Sequence, residues 1–210
     1  LIKDSQFTGG LSAQDADSLI VDNCLFEFSY LDALGSYPAY ISNNTFTNSA
    51  TDFGGRDGDG NHYGTKHKYL EITNCDFLEP PSTAIEALDT LDVTIDDVLI
   101  YNGSQSGIIL SPGDSVKITN TIVNACDDHG IYNSSSHLPV RKYLKIANCT
   151  VTQNGGDGIR FDTQNHSGPD SATIVINDNI ITSNNTGFYL NRGRGEIKNN
   201  TNTTECFDIK

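Results

Sequence analysis

The sequence predicts an all-β solenoid of about nine coils, each built from three short strands. An aliphatic residue recurs nine times between Ile2 and Ile197, and Asn or Asp follows it two positions later every time. An apolar residue stands five positions after the aliphatic one in all but the last copy. In the middle of the chain a further apolar segment begins thirteen positions after it. Recurrence every 19 to 31 residues indicates a repeat architecture in which each repeat is one coil.

The first strand of each coil carries the recurring aliphatic residue. Alternation of apolar and polar residues, as in "LIVDN" and "LEITN", places this residue and the apolar residue two positions earlier on one buried face. Asn and Asp tolerate the left-handed backbone conformation and bond their own backbone, so a sharp turn follows. The aliphatic positions are Ile2, Val21, Ile41, Ile72, Ile95, Ile118, Ile146, Ile176 and Ile197, and the turn positions are Asp4, Asn23, Asn43, Asn74, Asp97, Asn120, Asn148, Asp178 and Asn199.

The second and third strands follow this turn. The apolar residue after the turn begins the second strand and faces inward. The third strand begins in the segments "TAIEAL", "SGIILS", "HGIYNS" and "DGIRFD", which are led by Ile85, Ile108, Ile131 and Ile159. It returns in "TGFYLN" and "ECFDIK" at slightly shorter spacing.

The position directly after each turn residue is predicted to form an inward ladder of small side chains. It holds Ser5, Cys24, Asn44, Cys75, Val98, Thr121, Cys149, Asn179 and Asn200. Three of the five cysteines fall in this ladder on nonadjacent coils, and none has CxxC or Cys/His metal spacing. We therefore expect buried, unpaired thiols.

Composition excludes two classes of function. A net charge of −14 disfavours nucleic-acid binding, because that affinity comes from Lys and Arg. No stretch approaches the ~20 apolar residues of a membrane span. We expect one domain over residues 1–210, with a loop insertion at about residues 54–68.

These repeats resemble the right-handed parallel β-helix, or pectate-lyase-like, superfamily. The resemblance covers essentially the whole chain and implies a right-handed parallel β-helix. It leaves function open, since polysaccharide lyases, epimerases, phage tailspikes, adhesins and inert surface proteins share the scaffold. It also implies that the strand with the "GI" motif belongs to the sheet on which enzymes of this class bind sugar.

The segment "RDGDGNHYGTKHK" enlarges one coil and contains oxygen ligands at alternate positions. Asp57, Asp59 and Asn61 are separated by glycine, which is a pattern that suits a calcium loop. The late bidentate Glu of a complete EF-hand loop is missing. The sequence thus leaves two interpretations of this segment, a calcium-binding loop and a loop tip that is flexible or contacts a partner.

The segments "NACDDHGIYN" and "NGGDGIRFD" hold the best catalytic candidates. His129 and Asp157 precede the "GI" strand in successive coils, and Tyr132 and Arg160 share its first outward position. A lyase or epimerase on an acidic glycan needs a cation for the sugar carboxylate, a base and a proton donor, which Arg160, His129 and Tyr132 could supply in that order. Asp127, Asp128, Asp157 and Asp162 are expected to orient the histidine or hold a cation. The expected substrate-binding residues are Asp127, Asp128, Asp162 and the aromatic Tyr189.

Whether the chain is an enzyme stays open, and we expect an extracellular or cell-surface module with a structural or adhesive role. Such a module would either form part of a larger surface protein or pair its exposed end coils with a second copy, giving head-to-tail filaments. The alternatives are a lyase or epimerase and a noncatalytic glycan binder. Candidate glycosylation sites are Asn43, Asn102, Asn133, Asn148, Asn165, Asn184, Asn199 and Asn202.

Overall fold

The computed structural model describes the protein over residues 1–14, 16–34, 37–54, 68–88, 90, 92–110, 115–134, 143–162, 173–191, 194–202 and 207–209. All strand pairs in these ranges are parallel, and they build two sheet networks. The described ranges include no helix that is long and apolar enough to cross a membrane. The chain is a parallel β-helix, as the sequence predicts.

Each coil contributes a strand to three columns. The first column contains Ile2–Lys3, Leu19–Asp22, Ala39–Ser42, Tyr69–Leu78, Asp92–Tyr101, Ser115–Thr119, Tyr143–Ala147, Thr173–Asn177 and Arg194–Lys198. The second contains Gln6–Phe7, Leu25–Glu27, Thr45–Thr47, Ile122–Asn124, Thr150–Thr152, Ile180–Thr182 and Thr201–Asn202, with two coils supplying it from the long strands Tyr69–Leu78 and Asp92–Tyr101. The third contains Leu11–Gln14, Tyr30–Leu34, Ala50–Phe53, Ile85–Ala87, Ile108–Leu110, Ile131–Ser134, Asp157–Asp162, Thr186–Asn191 and Phe207–Ile209.

The register of the first column confirms the predicted core. Ile72 pairs with Ile95, Ile95 with Ile118 and Ile118 with Ile146. All four side chains are buried. The strand spacing of about 4.8 Å therefore brings each aliphatic side chain onto the one in the next coil.

The second column begins with a stack of phenylalanines. The rings of Phe7, Phe26, Phe46 and Phe77 lie nearly parallel, with centroid separations of 4.8, 4.6 and 4.5 Å along the stack. Strand register leaves each ring directly beside its counterpart in the next coil, so the aromatic contact follows from the repeat.

The corner after the first strand has the predicted left-handed turn. All nine Asn and Asp turn residues have φ between 50° and 58°. The buried position that follows is held by side-chain hydrogen bonds: Asn44 Oδ1 accepts from the backbone N–H of Cys24 at 2.8 Å, and its Nδ2 donates to the carbonyl of Val21 at 3.0 Å. Asn179 makes the equivalent bonds to Cys149 and Ile146.

The described cysteines have the predicted state. Cys24, Cys75, Cys126 and Cys149 are buried and free of disulfides. Burial raises the pKa of the Cys75, Cys126 and Cys149 thiols to about 11. These side chains are therefore uncharged packing groups at neutral pH. Cys206 lies outside the described residues.

A second left-handed corner lies between the second and third strands, and the sequence pattern did not predict it. Its residues are Phe28, Asn48, Glu79, Asn102, Ala125, Gln153 and Ser183, with φ between 48° and 59°. In two successive coils the buried residue after this corner is an asparagine, whose side chain bonds to the preceding coil. Asn154 Oδ1 accepts from the N–H of Cys126, and Asn184 Oδ1 accepts from the N–H of Asn154.

The glycine of the "GI" motif is required by close approach. A Cβ on Gly130 would lie 2.4 Å from Val151 Cγ1 and 2.6 Å from the carbonyl oxygen of Gly158. Gly107 and Gly158 have the same kind of contacts with the coils that follow them. A side chain here would force neighbouring coils apart, so glycine sets the start of the third strand.

Candidate functional site

The outward face of the third column forms one continuous row across eight coils. The strand register places the following residues side by side in this row, in coil order: Ser12, Asp32, Asp52, Glu86, Ile109, Tyr132, Arg160 and Tyr189. Successive side chains of a β-strand point to opposite faces of the sheet. The residues directly before and after each of these positions therefore point into the core. We call Asp32, Asp52 and Glu86 the carboxylate row, and Tyr132, Arg160 and Tyr189 the tyrosine–arginine row.

The tyrosine–arginine row holds a guanidinium between two aromatic rings. The Arg160 Cζ lies 4.6 Å from the ring centroid of Tyr189 and 5.9 Å from that of Tyr132. Both distances lie within the range of attraction between a cation and a π face. The rings thus hold Arg160 in place on an exposed sheet face, where a long side chain would otherwise be mobile.

His129 lies next to this row and is fixed by the backbone of the following coil. Its Nδ1 accepts a hydrogen bond of 2.8 Å from the N–H of Asp157, and its ring centroid is 5.2 Å from that of Tyr132. Gly156 makes room for the ring, since a Cβ there would lie 2.6 Å from Nδ1. In the neutral imidazole this bond leaves the proton on Nε2, which can donate outward.

Asp157 links the histidine and the arginine. Its carboxylate is buried, and Oδ2 accepts a hydrogen bond of 3.1 Å from Arg160 Nη1. The same oxygen lies 3.7 Å from His129 Nδ1. Asp157 therefore balances the charge of Arg160 and supplies the backbone donor that orients His129.

The predicted role of His129 as a base stays a prediction, and the geometry of its ring nitrogens bears on it. The lone pair that would take a proton is on Nδ1, where it accepts the Asp157 N–H bond. Nε2 carries the proton and has Asp128 Oδ1 3.6 Å away. In this geometry His129 is a hydrogen-bond donor toward a ligand.

The remaining predicted residues, Asp127, Asp128 and Asp162, are less closely linked to the tyrosine–arginine row. Asp128 is exposed and accepts from Ser106 Oγ at 3.1 Å. Asp127 is exposed, and its backbone N–H bonds to the Gly103 carbonyl. The backbone of Asp162 ends the strand Asp157–Asp162, while its side chain is outside the described part.

Comparison with known protein families matches residues 2–159 to the family described as right handed beta helix region. The chain belongs to this family. A search of curated proteins found no match, and a search of solved structures found none either. Membership of the right-handed β-helix family establishes the architecture, and the side chains on the face must indicate the function.

The carboxylate row of this β-helix was missed in the sequence because the coils of Asp32 and Asp52 lack the "GI" motif, which left Glu86 without recognised neighbours. Asp32 pairs in register with Asp52, and Asp52 with Glu86. Desolvation raises the pKa of Asp32, although a hydrogen bond from Ser12 opposes the shift. The signal that could have found the row is the register of Leu31, Thr51 and Ile85, which is fixed by the repeat itself.

The calcium prediction cannot be placed on the fold. Asp57, Asp59 and Asn61 lie outside the described residues, between Gly54 and Lys68. Within the described ranges, no group of three or more His, Cys, Asp or Glu side chains is arranged to hold a metal ion.

The candidate glycosylation sites divide by exposure. Asn43, Asn102, Asn148 and Asn199 are exposed at corners of the coil. Asn133 and Asn184 are buried, and Asn184 Nδ2 donates to the Val151 carbonyl at 2.9 Å. Neither buried side chain has room for a glycan in the folded coil. Asn165 and the side chain of Asn202 lie outside the described part.

Proposed function

We propose that the protein is an extracellular β-helix module that binds a polysaccharide on the outward face of the third column. The observation that carries the proposal is the Arg160 guanidinium held between the rings of Tyr132 and Tyr189. Partly exposed aromatic rings provide apolar surface on which a sugar ring can pack, and fixed donors beside them orient hydroxyl groups.

The spacing of the row supports an extended ligand. Tyr132, Arg160 and Tyr189 come from three successive coils, which are about 4.8 Å apart. A chain molecule that runs parallel to the helix axis would meet one of these side chains in each coil. The Nε2 proton of His129, beside Tyr132, adds a directional donor at one end.

Titration calorimetry with a panel of soluble polysaccharides and oligosaccharides tests the proposal. Tyr189→Ala should weaken binding by about tenfold or more, because a central aromatic contact contributes about 2 kcal/mol at an interface. Tyr101→Ala is the control, since Tyr101 is an exposed tyrosine that lies on another face of the coil. Equal losses in the two variants, or no binding of any glycan by the wild-type protein, would refute the proposal.

Glycan hydrolysis is a second candidate, and the carboxylate row is the observation that favours it. Glycosidases use two carboxyl groups on one face, one of which is a protonated acid with a raised pKa. Asp32, whose pKa is raised by burial, could supply the acid, and Asp52 or Glu86 on the same row could supply the second carboxyl group. Release of reducing ends that is lost in Asp32→Asn would support hydrolysis; turnover unchanged in that variant would exclude this role.

A lyase or epimerase activity has less support, because the lone pair of His129 is engaged. Unsaturated or epimerised uronate products, formed by the wild-type protein and lost in His129→Ala, would restore it. Assembly of copies through their end coils also remains a proposal. Light scattering over a wide concentration range tests it, and a constant monomer mass would end it.

A further inference from the structure

We infer that the glycan recognised by the tyrosine–arginine row is uncharged, so that Arg160 does not serve as a clamp for a sugar carboxylate. The inference rests on the proposed function and specifies its ligand class. The inference follows from the carboxylate of Asp157, which already compensates the charge of Arg160.

Arg160 has a built-in anionic partner. Asp157 Oδ2 accepts from Arg160 Nη1 at 3.1 Å, and the Asp157 side chain is only 8% exposed, against 30% for Arg160. A ligand carboxylate that drew Arg160 away would leave a buried carboxylate without its cation. Breaking such a pair is strongly unfavourable, because the remaining charge stays desolvated.

The face that carries Arg160 is otherwise acidic. Asp128 lies beside His129, and farther along the same outward row lie Glu86, Asp52 and Asp32, three to five coils from Arg160. His129 Nδ1 accepts a hydrogen bond from the backbone N–H of Asp157, so this nitrogen offers no donor to an anion. The described part of the face therefore carries more negative than positive charge, and a polyuronate would approach against this field.

An uncharged sugar avoids both costs. It can pack on the rings of Tyr132 and Tyr189, which need no charge on the ligand. A ring hydroxyl can accept from His129 Nε2, while the Arg160–Asp157 pair remains intact. Recognition would then depend on shape and hydrogen bonding, with little dependence on salt.

Calorimetry with neutral glucans and mannans on one side, and polygalacturonate and alginate on the other, tests the inference. All titrations contain EDTA, so that calcium cannot bridge carboxylates, and each is run at low and high salt. The wild-type protein should bind a neutral glycan with similar affinity at both salt concentrations. It should bind the polyuronates at least about tenfold more weakly.

Asp157→Asn supplies a gain-of-binding test. The near-isosteric change keeps the backbone N–H that holds His129 and removes the charge that balances Arg160. Polyuronate binding should rise about tenfold or more at low salt and fall again at high salt. Asp76→Asn is the control, because it removes the same charge from an exposed position on another face.

Three results would overturn the inference. The first is wild-type protein that binds a polyuronate more tightly than any neutral glycan, which leaves the proposed glycan-binding function standing. The second is folded Asp157→Asn protein, judged by its circular dichroism, with no gain over Asp76→Asn. The third is a wild-type protein that binds no glycan of either class, which removes the proposed function as well. The wild-type comparison decides the matter even if Asp157→Asn does not fold.

Discussion

Replacing Asn44 by alanine should destabilise the β-helix far more than a small polar substitution normally does. Asn44 is buried, and its side chain connects two coils. Its Oδ1 accepts from the Cys24 N–H at 2.8 Å, and its Nδ2 donates to the Val21 carbonyl at 3.0 Å. Alanine removes both partners from positions that water does not reach.

The expected cost follows from the two groups left behind. A buried N–H without an acceptor costs about 1–3 kcal/mol, and loss of the second hydrogen bond adds about 1 kcal/mol. These two contributions give about 2–4 kcal/mol, and the cavity left by the amide adds to them, so we expect a loss of at least about 2–4 kcal/mol in the free energy of unfolding. The same calculation applies to Asn179, which makes equivalent contacts several coils away.

Urea denaturation followed by circular dichroism measures this loss. Thr45→Ala is the control, because Thr45 is the next residue along the chain and lies on the outward face of its strand. The control should lose less than about 1 kcal/mol, in keeping with strand propensity alone. If Asn44→Ala is no more destabilised than Thr45→Ala, the inward ladder does not join the coils as described.

Three further predictions concern single positions. Gly156→Ala places a Cβ 2.6 Å from His129 Nδ1, so calorimetry should show weaker glycan binding, and unchanged binding would mean that the position of His129 is irrelevant. Changing Asp22 or Asp32 to Asn should change the free energy of unfolding at neutral pH in opposite directions. The pKa of Asp22 is lowered to about 2, chiefly by its hydrogen bond from a lysine, so Asp22→Asn should cost stability at neutral pH, and this cost should shrink between pH 3.8 and about 2. The pKa of Asp32 is raised by burial, so Asp32→Asn should gain stability at neutral pH and lose that gain below pH 3.8; urea titrations with the same sign for both variants would contradict this. Asn133→Leu should stabilise the protein by about 1–3 kcal/mol, because no described residue bonds to the buried Oδ1 of Asn133, and a destabilised variant would show that this amide is satisfied.

The sequence pattern predicts the coil and its first corner because the backbone conformation of that corner favours one class of residue. Left-handed φ at the first corner selects Asn or Asp in every coil, so the repeat is visible without a structure. The second corner adopts the same backbone conformation with residues as different as Phe28, Glu79 and Ala125. Its position is fixed by the strands on either side, so tertiary structure overrides local preference and leaves no common residue type.

The candidate site was predicted in part for a related reason. The "GI" glycines reveal which residues of successive coils lie side by side, and this brought His129, Tyr132, Asp157 and Arg160 together correctly. The direction of the His129 hydrogen bond depends on the backbone N–H of Asp157, which no residue pattern reports. The sequence therefore predicts which residues lie beside a histidine more readily than it predicts the chemical role of that histidine.

Diffraction from crystals soaked with the best-binding neutral oligosaccharide tests the central claim most directly. We expect sugar rings packed on Tyr132 and Tyr189, with the chain parallel to the coil axis, the Arg160–Asp157 pair unbroken and a hydroxyl group within hydrogen-bond distance of His129 Nε2. An oligosaccharide bound on another face of the coil, with the tyrosine–arginine row left bare, would contradict the assignment of this face.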